Sequence, residues 1–267
     1  MEMNSVKFIA ILSLLASLLW IAGLGWTINS QFFQKPEPPP KMAEGSKSID
    51  QDQDKEYHIV GLGDSLTRGI GDSSGKGYVG YLMDNLKSKT KQKIQLTNLA
   101  IGGQTSTGLA NQLKQQEIQR QIKNANAVVM TIGGNDLFNG GKVMNDLSSS
   151  AINSTRSAFL QRLDHIFKQI RSINPEATIF YIGLYNPFSD LSSSKETSKI
   201  VINWNYYTAE EASKYKKTIV VPTFDLFEQN VNDFLYSDKF HPNSEGYKLI
   251  GERLSSLIVF SGGGKAK

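Results

Sequence analysis

From Tyr57 onward, short apolar runs of strand length alternate with longer stretches whose apolar residues recur at three- and four-residue steps. The runs predict strands over Tyr57 to Gly63, Ile94 to Leu99, Ala127 to Ile132, Thr178 to Leu184, and Thr218 to Val221, the last closed by Pro222. The run Ala127 to Ile132 (AVVMTI) is apolar but for Thr131, the pattern of a strand buried on both faces. Helices are predicted over Gly80 to Lys89, Thr107 to Ile122, Phe159 to Ile173, Ser198 to Tyr215 and Ser244 to Leu257. Ser244 is placed as the N-cap of the last of these. Strands separated by helices imply right-handed crossovers and a mostly parallel sheet covered on both faces. The polar stretch Tyr185 to Thr197 is a long connection, read either as a rim over a site or as a tolerated surface loop.

Before Tyr57 the pattern changes twice. Phe8 to Trp26 carries no charge and is long enough to span a hydrocarbon core as a helix. The apolar run is longer than a usual signal-peptide core, and no clear A-x-A site follows it. An uncleaved signal anchor therefore fits better than a cleaved signal peptide. Residues 31–56 hold Pro36, Pro38, Pro39 and Pro40 followed by a polar tract, the composition of an extended linker. The organisation expected is an N-terminal transmembrane segment (1–30), a linker (31–56), a folded domain (57–260) and a short tail (261–267). The domain would lie outside the cytoplasm, tied to the membrane by the first segment.

Composition narrows the chemistry. The 267 residues carry a net charge of +4, with basic residues scattered along the chain. No basic stripe interleaves with aromatics, so a nucleic-acid partner is not expected. The absence of cysteine excludes disulfides, thiolate metal sites and a cysteine nucleophile. His58, His165 and His241 lie far apart and form no H-E-x-x-H pair, so neither a metal nor a cofactor is expected.

The remaining signal is glycine-rich. Gly61 and Gly63 start a G-x-G-x-x-G pattern, but Leu66 stands where its third glycine should be. A phosphate-binding G-x-x-x-x-G-K-[ST] loop fails at Ile70 and Gly77, and the G-x-S-x-G elbow fails around Ser65. What stands there is Gly63-Asp64-Ser65-Leu66, continued by Thr67, Gly69, Gly71 and Asp72. Asn98 to Thr105 contains Gly102-Gly103, Ile132 to Asp136 contains Gly133-Gly134-Asn135-Asp136, and Asp238 precedes His241-Pro242. In this order the four stretches resemble the conserved blocks of the GDSL, or SGNH, hydrolases, with bacterial lysophospholipase-like esterases as the nearest match. Gly102 departs from the pattern, since many members have serine there.

That resemblance implies a three-layer α/β/α sandwich of flavodoxin-like type with a five-stranded, mostly parallel sheet. It also implies a Ser-His-Asp triad of Ser65, His241 and Asp238. The oxyanion donors would be the backbone N–H groups of Ser65 and Gly103 and the side-chain amide of Asn135. The physical logic agrees: ester hydrolysis needs an activated nucleophile, an oriented base, and donors aimed at the developing negative charge. Each residue also has a plain alternative. Ser65 could cap the following helix, Asn135 could serve a left-handed turn, and His241 could be a surface histidine. Asp64 and Asp136 read as local hydrogen-bond acceptors, and Asp72 as a brace for its loop. Phe138, Tyr185, Phe188, Phe234 and Phe240 could line an acyl pocket or simply fill the core. The expected activity is an extracytoplasmic serine esterase acting on lysophospholipid or other acyl esters. A cell-envelope polysaccharide deacetylase and a non-catalytic binding domain on the same fold are the alternatives.

Overall fold

The computed structural model describes residues 15–21 and 56–260. The chain divides into two units, Met1–Ile49 and Asp50–Lys267. In the first, residues 15–21 are helical. Among the described residues no helix is long and apolar enough to cross a membrane. The rest of the Phe8 to Trp26 stretch, most of the linker and the 261–267 tail lie outside the described residues.

The second unit is built on five parallel strands: β1 (Tyr57–Gly63), β2 (Ile94–Asn98), β3 (Ala127–Thr131), β4 (Thr178–Ile182) and β5 (Thr218–Val221). Their spatial order is β2-β1-β3-β4-β5. The order reverses between β1 and β3, and a crevice opens at the carboxyl ends of strands at such a switch point. The expected five-stranded sheet is present, and every pairing in it is parallel.

Alternating residues of each buried strand feed two cores. Val60, Leu62, Val128 and Met130 face one layer of helices. This layer comprises α3 (Ser106–Gln112), α4 (Gln116–Lys123), α6 (Ser149–Ile173) and α7 (Ser194–Ser213). Ile59, Ala127, Val129 and Phe180 face the other. Its helices are α2 (Gly77–Lys89) and α10 (Ser244–Leu257), with the single turns α8 (Phe224–Phe227) and α9 (Val231–Phe234) beside them. Two further short helices, α1 (Ser65–Arg68) and α5 (Gly134–Phe138), start directly from the ends of β1 and β3.

Several boundaries differ from the sequence reading. The expected Thr107 to Ile122 helix is two helices, because Leu113 ends α3 and its carbonyl accepts from Gln119 Nε2 at 3.0 Å. A helix with this break re-aims its apolar face, so both Leu113 and Ile122 are buried. Helix α7 begins at Ser194 rather than Ser198, which shortens the polar connection. Strand β4 ends at Ile182, two residues early. The N-cap of α10 is Asn243, not Ser244: Asn243 Oδ1 accepts from Gly246 N at 3.0 Å. Ser244 instead donates its hydroxyl to Asp72 Oδ1 at 2.6 Å.

Candidate active site

The site starts where β1 stops. Gly63 pairs with Thr131 at the end of β3, with φ of +104°, and an added Cβ would lie 1.7 Å from the Thr131 carbonyl oxygen. Only glycine passes so close to a neighbouring strand in that conformation. The chain then turns into α1, capped by Asp64, whose Oδ1 accepts from Leu66 N at 3.1 Å. The cap is therefore Asp64, and Ser65 opens the helix with its hydroxyl free for another partner.

That partner is His241. Its Nε2 lies 2.8 Å from Ser65 Oγ, and its Nδ1 lies 2.6 Å from Asp238 Oδ2. The two ring nitrogens are thus both engaged, and the carboxylate selects the tautomer with the proton on Nδ1. Asp238 holds the loop that carries the histidine, since its Oδ1 accepts from Phe240 N at 3.0 Å and His241 N at 2.9 Å. Lys239 makes this tight turn feasible with a left-handed φ of 57°. Burial acts to raise the Asp238 carboxyl, but donation from the His241 ring and from the two backbone N–H groups outweighs it. Its pKa consequently lies below the ordinary carboxylate value. Asp72 braces the serine loop as expected, accepting from Ser74 N at 2.9 Å and Gly77 N at 2.7 Å.

The candidate donors surround the serine. Gly103 is exposed and holds φ of +75°, and neither its N–H nor that of Ser65 donates to another described residue. Asn135 Nδ2 donates one hydrogen to the Gln104 carbonyl at 2.9 Å, which leaves the other for a ligand. The left-handed position in the Gly133-Gly134-Asn135-Asp136 turn is Gly133, with φ of +108°, so Asn135 is not there for its backbone.

Two cavities adjoin these groups. The inner one, about 20 Å³, is walled by Ser65, Leu66, Phe138, Leu184, Tyr185 and Phe240. The outer one, about 470 Å³, runs from Asn135 past Phe188, Leu191 and Phe240 to Lys239. Of the five aromatics considered from the sequence, Phe138, Tyr185 and Phe240 line the inner cavity, and Phe188 and Phe240 the outer. Phe234 packs against Phe227 instead. Pro187 lines both cavities, so the connection after β4 forms a rim of the site. His58 lies in β1 beside Glu56, and His165 is exposed on α6.

Asp64 and Asp136 are acceptors as expected, but the sequence reading missed the two groups of partners gathered on them. Asp64 Oδ1 also accepts from Thr131 Oγ1 at 2.6 Å, and Thr131 Oγ1 is 2.8 Å from Thr67 Oγ1, which meets Tyr78 OH at 2.7 Å. This buried chain ties β1, β3 and α2 together beneath Ser65. Arg162, from the middle of α6, reaches Ser106 and Asp136. Neither group had a local signal, because each depends on partners that only the fold brings near. A serine bonded to an imidazole, itself bonded to a carboxylate, beside unpaired N–H donors, is a constellation suited to nucleophilic acyl transfer.

Comparison with known proteins agrees with this chemistry. The model of the GDSL-like lipase/acylhydrolase family matches residues 62–249. The uncharacterized protein YpmR of Bacillus subtilis is 35% identical over 229 residues, covering 82% of this chain and 89% of that protein. The spore germination lipase LipC of Bacillus licheniformis is 26% identical over 201 residues, covering 72% of this chain and 92% of LipC. Among solved structures, the lipase Lip_vut3 from a goat rumen metagenome superposes with a TM-score of 0.65 at 22% identity. That superposition covers 75% of this chain and 96% of the lipase. With its fold, its ordered motifs and this match in hand, the chain belongs to the GDSL-like lipase/acylhydrolase family and is a serine ester hydrolase of the GDSL type.

Proposed function

We propose that this protein hydrolyses carboxylic esters through an acyl-enzyme, with Ser65 as nucleophile, His241 as general base and acid, and Asp238 as the orienting carboxylate. The observation that carries the reading is the continuous relay from Ser65 Oγ to His241 Nε2 at 2.8 Å and from His241 Nδ1 to Asp238 Oδ2 at 2.6 Å. Ser65 Oγ attacks the ester carbonyl while its proton passes to Nε2. The imidazolium so formed is stabilised by Asp238 and then protonates the departing alcohol. Water repeats the sequence on the acyl-enzyme, with His241 again taking the proton. In both steps the negative oxygen is received by the N–H groups of Ser65 and Gly103 and by the free amide hydrogen of Asn135.

Acyl esters of lipids are the substrate we favour. The apolar floor of the outer cavity, made by Phe188, Leu191 and Phe240, suits an alkyl chain, and one relative bears the name lipase. Deacetylation of a cell-envelope polysaccharide is the second reading. The inner cavity, where Leu66, Phe138 and Tyr185 stand around Ser65, offers a short acyl group a place beside the nucleophile. We place the domain outside the cytoplasm, tethered by the charge-free Phe8 to Trp26 stretch and its linker. Mass spectrometry of the mature N-terminus with membrane fractionation tests that placement, and a cleaved, soluble protein would overturn it.

The function itself is tested with p-nitrophenyl esters from acetate to laurate, assayed with the wild-type protein and with Ser65→Ala. Turnover should disappear in Ser65→Ala while the circular dichroism spectrum stays unchanged. Equal turnover by the two proteins would refute the assignment. A wild-type rate that climbs with chain length supports the lipid reading, and one confined to acetate supports the deacetylase.

A further inference from the structure

Two of the three oxyanion donors, Gly103 and Asn135, sit on separate loops, and both loops are tied to one cation that the mechanism above does not use. Gly103 lies on the loop that leads into α3, three residues before Ser106. Asn135 lies on the turn after β3, directly before Asp136. Ser106 donates to Asp136 twice, from its backbone N to Oδ2 at 2.8 Å and from its hydroxyl to Oδ1 at 2.5 Å. Arg162 closes the triangle: its Nε donates to Ser106 Oγ at 2.6 Å and its Nη2 to Asp136 Oδ1 at 3.2 Å. The Asp136 side chain is only 3% exposed, and Arg162 is the cation paired with it among the described residues. A second tie runs between the same loops, from Asn135 Nδ2 to the Gln104 carbonyl at 2.9 Å.

This arrangement has a consequence for catalysis. Oxyanion donors work only when they converge on one point before charge develops, and errors well below 1 Å are felt. Gly103 and Asn135 come from different elements, so their convergence depends on what fixes one loop against the other. Asp136 and Ser106 are that fixture, and a carboxylate so deeply buried needs a cation in hydrogen-bonding contact. A guanidinium meets the requirement with two directed N–H groups in one plane. An ammonium supplies charge without that fork.

We propose that Arg162 is a positioning residue of the oxyanion hole, holding the Gly103 loop and the Asn135 turn in register through Ser106 and Asp136. The inference rests on the donor assignment made under Proposed function. It extends that assignment to a residue in the middle of a helix, remote from every motif in the sequence.

The test is a mutant cycle on a p-nitrophenyl ester that the wild type hydrolyses, using Arg162→Lys, Asn135→Ala and the double variant. Arg162→Lys keeps the positive charge beside Asp136 and loses the fork. It should lower kcat by about 10- to 100-fold with KM within about twofold of wild type and an unchanged circular dichroism spectrum. In the Asn135→Ala background the same change should lower kcat by less than about threefold, because the hole is already broken. A purely structural role gives equal losses in both backgrounds and would overturn the proposal, as would a folded Arg162→Lys protein with wild-type kcat. Should Arg162→Lys fail to fold, Ser106→Ala cuts the same link from the other side. It is expected to show the same kcat-only, non-additive loss, and wild-type turnover by Ser106→Ala contradicts the proposal. Ser65→Ala, run in parallel, separates this inference from the one beneath it. If Ser65→Ala is inactive and Arg162→Lys is normal, only the role of Arg162 falls. If Ser65→Ala remains active, the assignment of the site falls and takes the proposal with it.

Discussion

At the scale of single residues, Asp64 shows how much depends on surroundings that a motif does not display. It is adjacent to Ser65 in sequence, yet it takes no part in the relay from Ser65 to His241 and Asp238. Its side chain caps α1 and accepts from Thr131, in a place where the residue is only 2% exposed. Burial raises its pKa to about 7, and the nearby charge of Asp136 adds to the rise against these hydrogen bonds. In the unfolded chain the same carboxyl titrates near its ordinary value of about 4. Between those two values the folded protein binds more protons than the unfolded one. The contribution of Asp64 to stability therefore falls as pH rises from about 4 to about 7, and levels off above. Asp64→Asn removes this titration. In denaturant unfolding across that range, wild type should lose stability relative to the variant as pH rises, and a difference that stays constant with pH would contradict the account. That Ser65, His241 and Asp238 should meet was legible from sequence because each stands in a short stretch with its own turn chemistry. The ionisation of Asp64 was not, since it arises from packing against β3 and α5.

At the scale of elements, the segment between β5 and α10 delivers the histidine, and it is held chiefly by side chains bonding to backbone. Asn243 caps α10 through Gly246 N, and its amide also donates to the carbonyls of Asp233 at 2.8 Å and Leu235 at 3.2 Å. A backbone pair, Tyr236 N to His241 O at 2.7 Å, closes the turn around Asp238 and Lys239. Asn243→Ala should destabilise the protein by about 1–2 kcal/mol in chemical denaturation, the range for a lost helix cap. It should also lower kcat, because the loop that aims His241 loses its anchor. A variant with full stability would show that the cap is not needed. The sequence placed this helix correctly but chose Ser244 as its cap, since both residues are good N-caps and only the structure shows Ser244 turned toward Asp72. The break between α3 and α4 was hidden for a similar reason. Glutamine is an adequate helix former, and nothing local marks Gln119 as the side chain that satisfies the Leu113 carbonyl.

At the scale of the whole catalytic unit, the parallel sheet sets the positions of everything else. Its central strands were readable because a strand covered on both faces is apolar along most of its length, as β3 is from Ala127 to Met130. The spatial order β2-β1-β3-β4-β5 is marked by no periodicity and is seen only in the structure. That order brings the ends of β1 and β3 side by side, which is why Ser65 and Asn135 face one crevice. Trp204 of α7 stacks on Phe159 of α6 with ring centroids 4.6 Å apart, in the core that supports the β3 end of the site. Both rings are essentially inaccessible to solvent. Trp204→Ala should cost about 3–5 kcal/mol in unfolding free energy, as large-to-small changes of a buried aromatic do. A loss below about 1 kcal/mol would mean that this core adapts freely and does not set the geometry above it.

The most direct examination of the central claim is covalent labelling of the wild-type protein with an alkyl fluorophosphonate, read by peptide mass spectrometry. Attack by the Ser65 oxygen on phosphorus expels fluoride, while the serine proton passes to His241. The expected result is an adduct on the peptide that carries Ser65, absent in Ser65→Ala and formed far more slowly in His241→Ala. An adduct confined to another residue, or labelling that proceeds equally well without the His241 imidazole, would contradict the account.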